Sequence, residues 1–349
     1  MPLAVDKGRR DLADKFSTPN CVTIGLVNNM PDAALEATER QFVSLIEAAA
    51  ANAVVNLKLF SIPSVPRGVQ ARLKLAEEYR DISKLADAAL DGLIVTGTEP
   101  RALSLKDEPY WSALTAVIDW ARDNTASTVW SCLAAHAAVL HIDGVERRAL
   151  AAKRFGVFDC APAAAHPMTM GGAPRLCIPH SRYNDLPERA LTSCGYKILN
   201  RSAAAGVDSF VKLDRSLFLY FQGHPEYETQ TLLREYRRDI VRYLKDEREQ
   251  YPATPQGYFS KEATKIVEAF RAQALSDHRP DLIADFPIGS LEAGIENTWR
   301  RSAIGVYERW IGYLLGRKAE RRPLRVPLRR TWRDWPLRDG GPAAEGSAG

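Results

Sequence analysis

Cysteine is scarce in this 349-residue chain: there are five, Cys21, Cys132, Cys160, Cys177 and Cys194. They form no C-x-x-C pair, and their odd number cannot close a disulfide framework, which points to a reducing compartment, the cytoplasm. None stands at ligand spacing from His166 or His180, so no metal site is expected. Long apolar runs are missing as well. The longest uncharged stretch, residues 124–142, contains Asn, Thr, Ser and His and is split by turn-like sequence, which argues against a membrane span. Residues 1–15 are charged throughout and carry no apolar h-region, so they do not read as a secretory signal. Glycines are not gathered into a phosphate-binding motif. Gly171-Gly172 has no Lys-Ser/Thr after it, and Gly92 and Gly97 lack the dinucleotide pattern, so no bound cofactor is expected. No internal repeat is present.

What remains is an ordinary globular composition, 46% hydrophobic and 26% charged. The charge is unevenly spread. The net +4 is carried by the stretch from Arg317 to the end, while the residues before it sum to slightly below neutral. The division expected is an N-terminal arm over 1–20, one domain over 21–316, and a basic, extended tail over 317–349. The tail's arginines, interleaved with Trp332 and Trp335, read as a solvated, docking or intersubunit arm rather than as a nucleic-acid contact.

Within 21–316, strand and helix signals alternate. Residues 21–27, 54–60, 91–97 and 128–131 are short β-branched or apolar runs, and periodic segments over 35–51, 71–90, 110–123 and 133–140 read as helices. Further on, residues 210–213 and 217–221 read as a strand pair, and 229–245, 263–274 and 297–315 as helices. This order predicts an α/β fold, a mostly parallel sheet flanked by helices, with ligands at the carboxyl ends of the strands. Asn28, Gly97 and Cys132 fall at such ends.

Cys132 lies between the strand at 128–131 and the Ala-rich helix after it. A thiol on such a turn sits at a helix N-terminus, where backbone N–H groups can meet an oxyanion. The flanking Ser131 and Ala134 are small, although the glycines of G-x-C-x-G are absent. The second strand of the later pair delivers Gly223-His224-Pro225-Glu226. His224 can act as base and Glu226 can orient it, with the backbone of Leu133 and Gly97 as the oxyanion hole. A cysteine in an apolar Ala-rich segment also reads as a buried small hydrophobe. His136 and His141 read as helix histidines, and His180 is not read as catalytic.

Several motifs agree in order: Asn29-Met30-Pro31, residues 91–97, Tyr110-Trp111, Cys132, Phe155-Gly156-Val157-Phe158, Pro179-His180-Ser181-Arg182-Tyr183 and Gly223-His224-Pro225-Glu226-Tyr227. Together they resemble the homoserine O-succinyltransferase/O-acetyltransferase family, over 21–243 with a looser echo over 299–313. The resemblance implies a class I glutamine amidotransferase-like fold. It further implies transfer of an acyl group from succinyl-CoA or acetyl-CoA, through a cysteine, to the hydroxyl of L-homoserine on the way to methionine. On that resemblance Cys132 is the nucleophile, His224 the base and Glu226 its orienter. Lys153 and Ser181 match positions that hold the acyl donor, and Arg238 matches the arginine that grips the amino-acid carboxylate, with Glu235 beside it. A guanidinium forks onto a carboxylate bidentately, which suits that role.

The chain departs from the family at Asp32-Ala33-Ala34, where two residues are inserted, at Arg101, which occupies the position that sorts donors, and at its C-terminal end. A cation at 101 favours the succinyl donor, whereas Glu99 argues the opposite if the loop shifts. Serine as acceptor, amide hydrolysis by the same triad, and a binding module that kept the fold are the rival readings. The expected partners are small-molecule substrates, with a homodimer permitted and neither membrane nor nucleic acid.

Overall fold

The computed structural model describes residues 3–7, 20–169 and 175–320. Gly171 and Gly172, most of the expected arm, and the tail from Arg321 onward lie outside the described residues.

The chain opens with β1 (Leu3–Asp6), β2 (Cys21–Val27), α1 (Asp32–Ala49), β3 (Val54–Ser61), α2 (Val69–Glu78), β4 (Arg80–Asp81) and β5 (Gly92–Val95). It continues through α3 (Trp111–Asn124), β6 (Ser127–Ser131), α4 (Leu133–Asp143), β7 (Arg148–Pro162), β8 (Leu176–Asp185), α5 (Glu188–Ser193), β9 (Lys197–Ser202), β10 (Gly206–Leu213) and β11 (Leu217–Phe221). It closes with α6 (Thr231–Leu244), α7 (Lys261–Ser276), α8 (Ile288–Glu292) and α9 (Arg300–Glu320).

Among the described residues the strands make one sheet, ordered β1-β3-β2-β5-β6-β11-β10-β9-β7-β8, with β4 beside β3. From β1 to β11 every pairing is parallel, and from β11 to β8 every pairing is antiparallel. The α/β alternation read from the sequence is therefore the parallel half. β5 and β6 are buried at every residue, as central parallel strands covered on both faces must be. One face packs against α1 and α9 through Phe42, Tyr307 and Trp310, and the other against α3 and α4 through Val117, Trp120 and Ala138. A third cluster, around Trp299 and Tyr236, joins α6 to α7.

Three sequence readings are corrected. The helix expected over 71–90 stops at Glu78. Asp81 caps a short turn by accepting from Ser83 N at 2.8 Å, and Ala89 is left-handed at φ 47°, so the helix cannot run through. β7 and β8 were not anticipated, because β7 is mostly exposed or half-buried and shows no apolar alternation. The last helix does not end near Leu315 but runs to Glu320. There Lys318 donates to Asp91 Oδ2 at 2.8 Å and to Cys21 O at 2.9 Å, so the first residues of the expected tail are tied to the sheet. No helix among the described residues is long and apolar enough to cross a membrane.

Candidate active site

The parallel pairing of β6 with β11 sets Ser131 opposite Phe221. The residues that follow each strand therefore leave the sheet at the same edge. Cys132 continues the ladder by donating its N–H to Phe221 O at 2.8 Å, then turns with φ 52° and ψ −113° into α4. A non-glycine residue in that region is strained, the geometry of a nucleophile held out on a strand-to-helix turn. Its thiol is partly exposed, while Cys21 and Cys160 are buried. Leu133 N–H, at the first turn of α4, has no helical carbonyl behind it to bond. Gly97 packs against that group, and a side chain could not fit, since a Cβ there would lie 2.9 Å from Leu133 N.

His224 arrives on a loop pinned by its own N–H to Pro179 O at 2.7 Å. Gly223 lets the loop descend, because a Cβ there would come within 2.7 Å of Asp208 and 2.9 Å of His180. The His224 imidazole hydrogen-bonds Glu226 and lies near enough to Cys132 for the sulfur's charge to act on it. Nδ1 is 2.9 Å from Glu226 Oε1, so an Nδ1–H donates to the carboxylate and Nε2 is left for the sulfur. Glu226 also accepts from Ser131 Oγ at 3.2 Å, while its Oε2 is buried without a hydrogen-bond partner among the described residues. Burial pulls the His224 pKa down, but the Cys132 sulfur and the Glu226 carboxylate more than offset it and hold it well above the ordinary imidazole value.

A second group of side chains gathers beside this triad. Along α6 the buried residues Leu232, Leu233, Tyr236, Ile240, Tyr243 and Leu244 recur at helical spacing, with Asp239 among them. Glu235, Arg238 and Arg242 stand beside that stripe, three and four residues apart. Lys153 of β7 reaches across to Asp239 Oδ2 at 2.8 Å, lies 3.8 Å from Glu235 Oε2, and sits 4.0 Å over the Phe155 ring. Ser181 of β8 donates to Glu235 Oε2, and Tyr227 donates to Glu235 Oε1. Arg238 forks onto Asp239 Oδ1 at 3.0 and 3.1 Å. Burial pushes Asp239 up, but Lys153 and Arg238 outweigh it and hold the carboxyl below its usual range. Lys153, Ser181, Glu235 and Arg238, singled out in sequence, are thus one network.

Arg101 and Glu99 lie on the loop after β5. Glu108 Oε1 closes that loop by accepting from the backbone of Arg101 and Ala102. Glu99 faces Arg242 at 3.4 Å. With Pro31, Pro66, Thr98, Pro100 and Tyr110 they line a cavity of about 240 Å³. Asp32-Ala33-Ala34, read from the sequence as part of a loop, form the first turn of α1, and the loop before them is held from beneath. Arg67, buried, donates to Asn28 O, Met30 O and Ile62 O at 3.0 Å each, and Asp32 accepts from Gly68 N.

Of the other histidines, His136 and His180 are buried. His136 is buried with Nε2 3.0 Å from Gln222 Oε1, and burial and Arg182 lower its pKa to about 3. His141 pairs with Asp119 at 2.9 Å. The fold brings Cys160, His180 and Asp208 together, their ligand atoms within 4.8 Å of one another, which spacing along the chain did not suggest. Arg182 Nε donates to His180 Nδ1 at 3.3 Å, so the proton is on Nε2, 3.3 Å from Asp208 Oδ1. Neither ring nitrogen then has a lone pair free for a metal.

Sequence reasoning missed Asp239 and Tyr227. An aspartate in the apolar row of a helix is itself a signal, because a charge is rarely placed there without partners. Tyr227, next to Glu226, offered no signal apart from its place in the motif.

The family model described as "Homoserine O-succinyltransferase" matches residues 13–321. The homoserine O-succinyltransferase of Methylorubrum extorquens is 47% identical over 85% of this chain and 88% of its own. That of Bradyrhizobium japonicum is 46% identical over 90% of this chain and 94% of its own. Among solved structures, a glutamine amidotransferase from Methylobacillus flagellatus aligns with 84% of this chain and 95% of its own at 18% identity, with a TM-score of 0.46.

Proposed function

The chain belongs to the homoserine O-succinyltransferase family, and from that premise we propose that it moves a succinyl group from succinyl-CoA to the hydroxyl of L-homoserine through an acyl-cysteine. The observation that carries the reading is that Cys132, on a strained strand-to-helix turn, meets His224 and Glu226 from the loop after β11. In the first half-reaction the Cys132 sulfur attacks the thioester carbonyl, and the carbon–sulfur bond to CoA breaks. The CoA sulfur leaves with a proton from His224. The N–H groups of Leu133 and Gly97 face the oxygen that becomes negative in between. In the second, His224 takes the proton of the acceptor hydroxyl, the new ester forms, and Cys132 departs as a thiolate. Glu226 keeps the imidazole in the tautomer that both steps need.

Lys153 and Ser181 hold the donor in this reading, and Arg238 with Glu235 holds the amino acid. Arg238 presents a half-exposed guanidinium beside Asp239, suited to a carboxylate, and Glu235 suits an ammonium.

Intact-protein mass measurement after mixing with succinyl-CoA or acetyl-CoA, each without acceptor, tests the mechanism. The expected result is one succinyl adduct on Cys132, lost when L-homoserine is added and transferred to it. Protein that never acquires an adduct, or that releases ammonia from glutamine instead, would sink the reading.

Arg101 is proposed to favour the succinyl donor. It lines the cavity beside Glu108 and Tyr110, and Glu99 is engaged by Arg242, which blunts the opposing charge. Arg101→Ala is expected to lower the preference for succinyl-CoA over acetyl-CoA by about tenfold, the scale of one exposed charge-assisted contact. The ratio of kcat/KM for the two donors checks it, and an unchanged ratio removes Arg101 from donor selection.

A further inference from the structure

Tyr227 touches both the triad and the acceptor-side network. The segment from His224 to Tyr227 is a tight turn closed by Tyr227 N–H to His224 O at 3.2 Å. Residues at the two ends of such a turn lie over one another. The Tyr227 ring accordingly stacks on the His224 imidazole, with centroids 4.3 Å apart and planes 16° from parallel. Its carbonyl is fixed by Trp299 Nε1 at 2.7 Å, so the ring cannot drift by moving its backbone. Its hydroxyl donates to Glu235 Oε1 at 2.5 Å, while Ser181 occupies the other oxygen of that carboxylate. Burial and the Glu235 charge raise the phenol's pKa well above its ordinary value, so it remains a donor throughout the working range.

We propose that Tyr227 is a positioning residue that couples occupation of the amino-acid site at Glu235 to the orientation of the His224 imidazole. The inference rests on the function proposed above. A carboxylate has about four lone-pair positions. Tyr227 on Oε1 and Ser181 on Oε2, with the Lys153 ammonium 3.8 Å from Oε2, leave room at Oε1 for an arriving ammonium, which draws charge away from the phenol hydrogen bond and resets the ring. Because the ring and the imidazole are stacked, the base turns with it, toward the acceptor hydroxyl. Such coupling is reciprocal, so the phenol also supports acceptor binding. The donor half-reaction occurs before an amino acid is present and relies on the stack alone.

Two substitutions separate the ring from its hydroxyl. Tyr227→Phe keeps the ring and its volume, and Tyr227→Leu removes the stack. CoA release from the donor and breakdown of the isolated acyl-enzyme by L-homoserine are timed separately, together with KM for the acceptor. Tyr227→Phe is expected to slow the transfer step at least tenfold more than acylation and to raise the acceptor KM. Tyr227→Leu should slow both steps. A Tyr227→Phe enzyme in which both steps slow equally, or neither does, overturns the coupling while leaving the acyl-cysteine reading intact. An unsubstituted protein that forms no acyl-cysteine with either donor overturns the functional reading, and the coupling falls with it.

Discussion

Cys132→Ala is expected to abolish acyl-enzyme formation and to cut turnover by roughly 10³-fold or more, the scale of losing a covalent nucleophile. The fold should survive. The alanine removes one sulfur from a partly exposed position and leaves the Cys132 N–H to Phe221 O bond in the backbone untouched. The strained φ of 52° remains, so no stabilisation by relief of strain is anticipated. Mass measurement with succinyl-CoA should show no adduct while circular dichroism shows an unaltered fold. Near-normal turnover in the alanine enzyme would rule out the covalent route, whatever the arrangement of the other residues.

The second large effect belongs to the base and separates it from its orienter. His224→Asn should slow both acylation and transfer, by roughly 10²- to 10⁴-fold each, because the same nitrogen handles the proton in both. Glu226→Gln should cost less, since an amide oxygen can still accept the Nδ1–H. It should also move the pH profile. Burial lowers the His224 pKa, whereas Cys132 and Glu226 raise it, and the balance lies well above the ordinary imidazole value. In the acyl-enzyme the sulfur is uncharged, so the carboxylate is then the principal group that raises it. Removing that charge lowers the pKa, and the neutral, proton-accepting imidazole persists to lower pH. The acid limb of the transfer step should therefore shift to lower pH in Glu226→Gln. A limb that moves upward, or stays in place, would show that Glu226 does not set the imidazole's proton affinity.

The candidate site was legible wherever its chemistry is local. The strand, cysteine and helix follow one another directly, and so do Gly223, His224, Pro225 and Glu226, so each piece can be read without knowledge of the rest. Lys153 and Ser181 were legible only through family motifs, because the strands that carry them lack a clean apolar alternation. The helix over-read at 71–90 failed for a different reason. Its apolar residues do face the core, but beyond Glu78 the backbone that presents them is a series of short turns, and burial alone does not distinguish the two.

By itself the sequence determined the class of the chain and the parallel half of its sheet, and it singled out Cys132 and His224 as candidates, because these follow from short-range patterns of burial and from motifs a few residues long. Only the tertiary structure decided which distant side chains meet. The register that sets Ser131 opposite Phe221 brings Cys132 and His224 to one edge across some ninety residues. The packing of α6 against β7 and β8 turns Lys153, Ser181, Glu235, Arg238 and Asp239 into one network. A tight turn stacks Tyr227 on the base while its hydroxyl reaches Glu235. Such contacts depend on strand register and on the depth of a buried face, and these belong to the assembled sheet rather than to any stretch of the chain read alone.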